Sequence, residues 1–309
     1  MPDVSISPSK APEFSIIIPV YNDWEHLEGC LRSLDEQTNA PECEVIVVDD
    51  GSREEAPRSI RDRDGSRAVA IVRQAHAGIA AAKNHGVQNS KGPVLLFTDA
   101  DCRFQADCLS ALAATVRVSP QYDCFQLHVV GDSTNLVGRA EELRLTAIQN
   151  QMLKPAGCIR YLNTSGFAIR RTHAFVKSGP FDPTATRAED TLLLSSLIER
   201  GDLPLFVSNA TVQHAVSLSV SESFRKAVRS AWQEGQAFEM IAAKGIRIRM
   251  GNRARLRMLL SMWKTSARPD IGRAAWFVLT TRQLLERTIS LLYKCTQSLP
   301  PRHKPVKAR

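Results

Sequence analysis

No two of the seven cysteines in this 309-residue chain form a CxxC pair; they stand alone at positions 30, 43, 102, 108, 124, 158 and 295. An odd, unpatterned set speaks against a disulfide framework and a zinc site, and for a reducing compartment. Nowhere does the chain approach the ~20 uninterrupted apolar residues that a membrane-spanning helix needs. Residues 1–13 carry neither a basic n-region nor an apolar h-region, so no signal peptide is visible. Internal repeats and low-complexity blocks are missing as well. These absences exclude a disulfide scaffold, a zinc module and a solenoid, and they set the expectation of a cytoplasmic protein.

What is present begins with charge. The net balance of +8 is uneven: residues 244–309 hold 16 Lys/Arg against Asp270 and Glu286, which leaves residues 1–243 at −6. A mildly acidic body with a basic end predicts two units, the second suited to a polyanionic surface. Helices there interleave Arg253, Arg255 and Arg257 with Leu256, Met258 and Trp263. Such helices suit an anionic membrane surface, or else dock on the body and show their arginines to water. No nucleic-acid-binding module is recognisable, so a nucleic-acid partner is not expected.

Along residues 14–120, short apolar runs alternate with helical periodicity. Strands are predicted at 14–18, stopped by Pro19, and at 45–48, 69–72 and 94–98. Helices are predicted at 24–37, 78–88 and 105–118. Alternation of this kind predicts an α/β fold with a mostly parallel sheet and right-handed crossovers. Beyond Pro120 the pattern loosens, with strands expected at 124–130, 167–169 and 205–207 and helices at 139–151 and 191–199. The expected division is a flexible N-terminus at 1–13, a catalytic domain at 14–220, a basic helical region at 221–299 and a disordered basic tail at 300–309.

Polar clusters close several of these elements. Pro19-Val20-Tyr21-Asn22 follows the first strand, Asp49-Asp50-Gly51-Ser52 the second, and Asp99-Ala100-Asp101 the run at 94–98; Glu189-Asp190 opens the helix at 191–199. Strand ends of a parallel sheet share one edge, where open α/β sheets bind ligands. Two carboxylates one residue apart at that edge suit a hard divalent cation shared with phosphates. Each cluster alone has a structural explanation, as a turn, a loop or an acidic first helical turn. Four such turns on one edge point instead to a site.

The chain resembles the family 2 glycosyltransferases, nucleotide-sugar-dependent enzymes of the GT-A fold. The resemblance rests on Ile-Pro-Val-Tyr-Asn (18–22), Val-Val-Asp-Asp-Gly-Ser (47–52), Gly-Ile-Ala-Ala-Ala-Lys-Asn-His-Gly (78–86) and Phe-Thr-Asp-Ala-Asp (97–101). It continues through Ser-Gly-Phe-Ala-Ile-Arg-Arg (165–171), Gly-Pro-Phe-Asp (179–182) and Ala-Glu-Asp-Thr-Leu-Leu (188–193), and covers roughly residues 14–215. Pro180 departs from the pattern, standing where the family usually has a second glycine.

The resemblance implies an inverting transfer of a sugar from a nucleotide-sugar donor, a UDP-sugar in the first instance, to a hydroxyl of a glycan, polysaccharide or lipid-linked acceptor. Pro19 and Tyr21 would shelve the base and Asp50 would accept its imide hydrogen. Lys83 would lie near the nucleotide, with Asn84 pinning a loop. Asp99 would hold the ribose, Asp101 and His214 would hold Mg²⁺ or Mn²⁺, and Asp190 would be the general base. Successive helix side chains point about 100° apart, so Glu189 and Asp190 should not share one role. Acceptors of this kind would bring the protein to the inner face of the cell membrane. Two other readings compete. A sugar-phosphate nucleotidyltransferase would need a glycine-rich loop after the first strand, which Val20–Asp23 is not. A non-catalytic polyanion-binding scaffold would not need the intact carboxylates.

Overall fold

The computed structural model describes residues 11–63, 65, 67–132, 134–185, 188–215, 218–243 and 252–297. In chain order the elements are β1 (Phe14–Val20), α1 (Trp24–Asp35), β2 (Cys43–Asp49), α2 (Arg58–Arg61), β3 (Ala68–Arg73), α3 (Ile79–Gln88), β4 (Val94–Phe97), β5 (Cys102–Phe104) and α4 (Cys108–Val118). They continue with β6 (Cys124–Gly131), α5 (Leu136–Met152), β7 (Phe167–Arg170), α6 (Glu189–Arg200), β8 (Leu205–His214), α7 (Val220–Ala243), α8 (Asn252–Thr265) and α9 (Arg273–Gln297). The tail expected at 300–309 and most of the segment expected at 1–13 lie outside the described residues.

One eight-stranded sheet runs in the order β3-β2-β1-β4-β7-β6-β8-β5. Pairings from β3 to β4 are parallel, β7 is antiparallel to both neighbours, β6 and β8 are parallel, and β5 closes the edge antiparallel to β8. Strand residues alternate between two cores. Ile16, Ile18 and Val20 face Leu27 and Leu31 of α1 and Leu112 of α4. Ile17, Val48 and Phe97 face Ala80 and Ala82 of α3 and Leu193 and Leu197 of α6. Small residues on α3 allow the helix to approach the sheet closely. A Cβ on Gly86 would stand 2.4 Å from the Ile17 side chain, so any larger residue would force Ile17 or the helix to shift.

Three elements differ from the sequence reading. Strand β1 continues through Pro19 to Val20. Proline is tolerated because the β4-facing side of β1 is last used by Ile17, whose carbonyl accepts from Thr98 N at 3.2 Å, and β4 has already ended. The helix expected from 105 starts at Cys108, and β5 precedes it; three residues are too few to show a period. Strand β8 continues past a register shift opposite Leu127/His128 and ends on His214. The segment expected as a short strand at 205–207 is therefore the first part of a longer one.

A third core joins the C-terminal helices to the body. Met262 of α8 and Ile271, Ala275 and Leu279, the last two on α9, pack against Ala140, Leu143 and Ala147 of α5. Docking of the basic helices on the α/β body, one of the two sequence readings, is therefore observed. Leu279 is fully buried, and truncating such a side chain removes its transfer free energy and leaves a cavity. Leu279→Ala should lower the unfolding free energy by about 2–5 kcal/mol in urea titrations, within a transition shared by body and helices. A loss below about 1 kcal/mol would show that α9 is not part of the cooperative core.

Candidate active site

Strands β1 and β2 end side by side, and their following turns are tied together. Asn22 N donates to Ser52 Oγ at 2.9 Å, and Arg53 N donates to Asn22 Oδ1 at 2.8 Å. Asp49 closes the turn by accepting from Ser52 N at 2.8 Å. Gly51 has φ +77°, and a Cβ there would meet His76 N at 2.7 Å. This brings Asp50, only 3 % exposed, against the segment that enters α3. Its Oδ1 accepts from Gln74 Nε2 at 2.7 Å and Ala77 N at 2.9 Å. Its Oδ2 accepts from Gly78 N at 2.9 Å and faces His76 Nδ1 at 2.9 Å. All the lone-pair positions of this carboxylate are thus engaged, and a base imide would replace one of the two side-chain donors, Gln74 or His76. Tyr21 is about half exposed, and its ring stacks on His76 with centroids 4.2 Å apart. The pair forms a flat shelf beside Asp50; Pro19, two residues before Tyr21, lies inside β1.

Lys83 lies deeper than the sequence reading supposed. Its side chain is fully buried in α3, and Nζ contacts Thr164 Oγ1 at 2.5 Å, Glu189 Oε1 at 2.9 Å and Asp99 Oδ1 at 3.8 Å. Burial pulls the ammonium towards neutrality, but Glu189 first and then Asp99 outweigh it and raise its proton affinity. For Glu189 the burial effect is likewise overcome by Lys83, which lowers its pKa. A buried ion pair of this kind costs desolvation on forming, and losing one partner costs about 3–5 kcal/mol. It fixes geometry: the sequence-distant carboxylates of 99 and 189 meet on one cation. Ser165 Oγ completes the hold on Asp99 by donating to Oδ2 at 2.6 Å. Asn84, one residue on, pins the loop at 179–182 by exchanging two hydrogen bonds with the Phe181 backbone, at 2.7 and 3.1 Å.

The antiparallel β5–β8 ladder pairs Cys102 with His214 and so sets His214 Nε2 3.2 Å from Asp101 Oδ2. Burial opposes the charge on both groups. The mutual hydrogen bond and attraction nevertheless lower the Asp101 pKa and raise that of His214. Asp99 Oδ1 and Asp101 Oδ1 are buried without a hydrogen-bond partner. Ligating atoms of Asp99, Asp101 and Cys102 lie within 4.8 Å of one another. Burial pushes the Cys102 thiol well above its ordinary range, so the available donors in this group are the hard carboxylate oxygens of Asp99 and Asp101. The unpartnered Asp101 Oδ1, with the Asp99 carboxylate beside it, fits Mg²⁺ or Mn²⁺.

Asp190 occupies the first turn of α6, entered through Ala188 in the left-handed region at φ +61°. Glu189 turns towards Lys83, while Asp190 Oδ1 accepts from Thr191 N at 2.6 Å and Thr191 Oγ1 at 3.1 Å. Burial, and then the neighbouring Glu189 carboxylate, push the Asp190 pKa up to about 7.

The structure thus draws Asp99, Lys83, Thr164 and Glu189 into one bonded network, sets Asp190 next to it, and puts the Asp101–His214 pair immediately after Asp99. Asp50 and Tyr21 follow β2 and β1, on the same edge of the sheet. Sequence reasoning gave no role to Gln74, His76, Thr164 or Ser165. Ser165 stood within a recognised motif, whereas Gln74 and His76 fall in a turn without periodicity.

Comparison with known proteins accords with this geometry. The sequence profile of the family described as Glycosyl transferase family 2 matches residues 15–177. The glycosyltransferase AglE of Haloferax volcanii is 35% identical over 97 residues, covering 30% of this chain and 32% of its own. An undecaprenyl-phosphate 4-deoxy-4-formamido-L-arabinose transferase of Pseudomonas fluorescens is 39% identical over 92 residues, or 28% of this chain and 27% of its own. The match therefore spans about a third or less of these curated relatives. Among solved structures, a mannosyltransferase from Pyrobaculum calidifontis in complex with GDP-Man and Mn²⁺ superposes with TM-score 0.61 at 18% identity, over 96% of this chain and 91% of that one. S. aureus TarS residues 1–349 with UDP gives 0.54 at 17% identity, over 96% and 95%. These neighbours establish a GT-A fold. With the profile spanning more than half its residues, the chain belongs to glycosyl transferase family 2.

Proposed function

We propose that this glycosyltransferase moves a sugar from a UDP-sugar to an acceptor hydroxyl with inversion at the anomeric carbon, and that Asp190 is its general base. The observation carrying this reading is the placement of Asp190 in the first turn of α6, beside the Lys83–Glu189 pair that also anchors Asp99; burial and the Glu189 carboxylate there raise its pKa to about 7. A base is most effective when its pKa lies near the working pH. Asp190 takes the proton of the acceptor hydroxyl as that oxygen attacks the anomeric carbon. The bond from that carbon to the phosphate oxygen breaks on the opposite side, and the electron pair leaves with the nucleoside diphosphate. Direct displacement needs no enzyme nucleophile. Tyr21 and Pro19 shelve the base, Asp50 accepts its imide hydrogen after exchange with Gln74 or His76, and Asp99 takes the ribose. Lys83 acts behind them by holding Asp99 and Glu189 in place. Asp101 and His214 would hold Mg²⁺ or Mn²⁺, which when bound supplies positive charge to stabilise the departing diphosphate. The acceptor is a glycan, polysaccharide or lipid-linked hydroxyl, met in the cytoplasm at the inner face of the cell membrane. The name of one matched relative, an undecaprenyl-phosphate transferase, supports a lipid-linked acceptor, although it names a lipid phosphate and not a hydroxyl.

Two outcomes test the base. Asp190→Asn should lower kcat by about 10²–10⁴-fold while leaving UDP affinity within about twofold, since the base acts on the acceptor. In the native enzyme kcat/KM should rise with pH and level off above about 7. A near-normal variant, or a profile flat between about pH 5.5 and 8.5, would remove Asp190 from this role.

Stability gives an independent sign. A carboxyl whose pKa is raised on folding binds a proton that the unfolded chain has released, so its contribution is present in acid and lost as pH rises through about 7. Asp190→Asn should therefore raise Tm, and by more at pH 8 than at pH 5. A lower Tm at pH 8 would mean that the ionised carboxylate stabilises the fold instead.

A further inference from the structure

Helix α8 packs on α5, and α9 packs on both α5 and α7; the exposed side of the two helices carries a feature the transfer reaction does not use. On α8, Leu256, Leu260 and Trp263 recur at spacings of four and three and stay exposed; on α9, Phe277, Leu284 and Leu291 recur every seventh residue and are each more than half exposed. Both spacings keep side chains on a single helical face. The two stripes meet where the Trp263 and Phe277 rings stand 6.4 Å apart, edge to face. This makes one apolar surface across two helices.

Cations border that surface. Arg253, Arg257 and Lys264 are exposed on α8 beside the stripe, and Arg287 is exposed on α9. The Arg273 guanidinium lies 3.7 Å from the centre of a Trp263 ring. The acids between 252 and 297 are Asp270, paired with Arg268, and Glu286, paired with Arg282. The bordering cations therefore face no local carboxylate excess.

We propose that this face of α8 and α9 lies in the interfacial plane of an anionic lipid bilayer, with the Leu/Trp/Phe stripe at the acyl boundary and the arginines on lipid phosphates. Three considerations select this occupant. No described helix is long and apolar enough to cross a membrane, so the helices lie along the surface, as amphipathic basic helices do. A second copy of the chain would bring two sets of like charges together, which charge complementarity disfavours. Nucleic acid would answer the cations but leave the apolar stripe in water. An anionic bilayer answers both. The inference does not depend on the identity of the sugar donor.

The test is co-sedimentation of the full chain with vesicles of phosphatidylcholine alone or mixed with phosphatidylglycerol. Binding should be at least tenfold stronger to the anionic vesicles and should weaken with salt, since each surface cation contributes about fivefold. The combined variant Leu260→Glu, Phe277→Glu, Leu284→Glu changes only exposed positions and should lose more than tenfold of that binding while keeping the native circular dichroism. If it does not fold, Arg253→Glu with Arg257→Glu serves as the second test and should lose roughly 25-fold or more by the same arithmetic. The proposal is overturned by vesicle binding that is absent or indifferent to lipid charge, or by folded variants that pellet like the native protein. It is equally overturned if light scattering shows a native dimer that the combined variant dissociates.

Discussion

A single buried ammonium organises the catalytic edge of this protein. Lys83 is fully removed from water and shared among Glu189, Thr164 and Asp99. Coulomb attraction across a low-dielectric interior is strong, but so is the desolvation it must offset, and the net result is positional more than stabilising. The turn after β4, the segment before β7 and the start of α6 are far apart in the chain. They converge because each contributes one oxygen to the same cation. Ser165 and Thr98 reinforce that convergence, through Ser165 Oγ on Asp99 and Thr98 Oγ1 on the Ser165 carbonyl at 3.0 Å.

From that anchor the rest of the edge follows. With Glu189 committed to Lys83, helical geometry turns Asp190 to another side, where burial and a like charge raise its proton affinity. With Asp99 held, Asp101 falls beside β8, whose last residue, His214, is brought in by the β5 ladder. Helix α5 then serves as the seat for α8 and α9, which binds the basic end of the chain to the acidic body. Glu141 of α5 illustrates the join: it pairs with Arg144 on its own helix and lies 3.5 Å from Arg282 of α9.

Much of this was legible in the sequence. Continuous apolar runs mark β1 to β4, and the carboxylates after β2 and β4 mark the edge. Regularly spaced apolar positions mark the helix at 24–37 and a run of small residues the one at 78–88, each within two residues of its observed ends. Other parts carried no local signal. Strand β5 is three residues long, and β8 is interrupted by a register shift, so the ladder that delivers His214 was hidden. Lys83 reads from the sequence as a residue near the nucleotide, but residue type alone does not report its depth. Its burial depends on Glu189, more than a hundred positions away. The partners of Asp50, in particular His76, sit in an aperiodic turn defined by positive-φ glycines at 51 and 78. The outer stripe of α8 and α9 was visible as interleaved apolar and basic residues, but which side met the body required packing against α5.

The central claim is that carboxylates from separate segments gather around one nucleoside diphosphate and its cation. Calorimetric titration of the protein with UDP, with and without Mn²⁺, addresses it most directly. The account predicts saturable one-site binding that strengthens with the metal and is lost on Asp101→Ala. A silent titration under both conditions, or binding indifferent to Mn²⁺ and to Asp101→Ala, would contradict it.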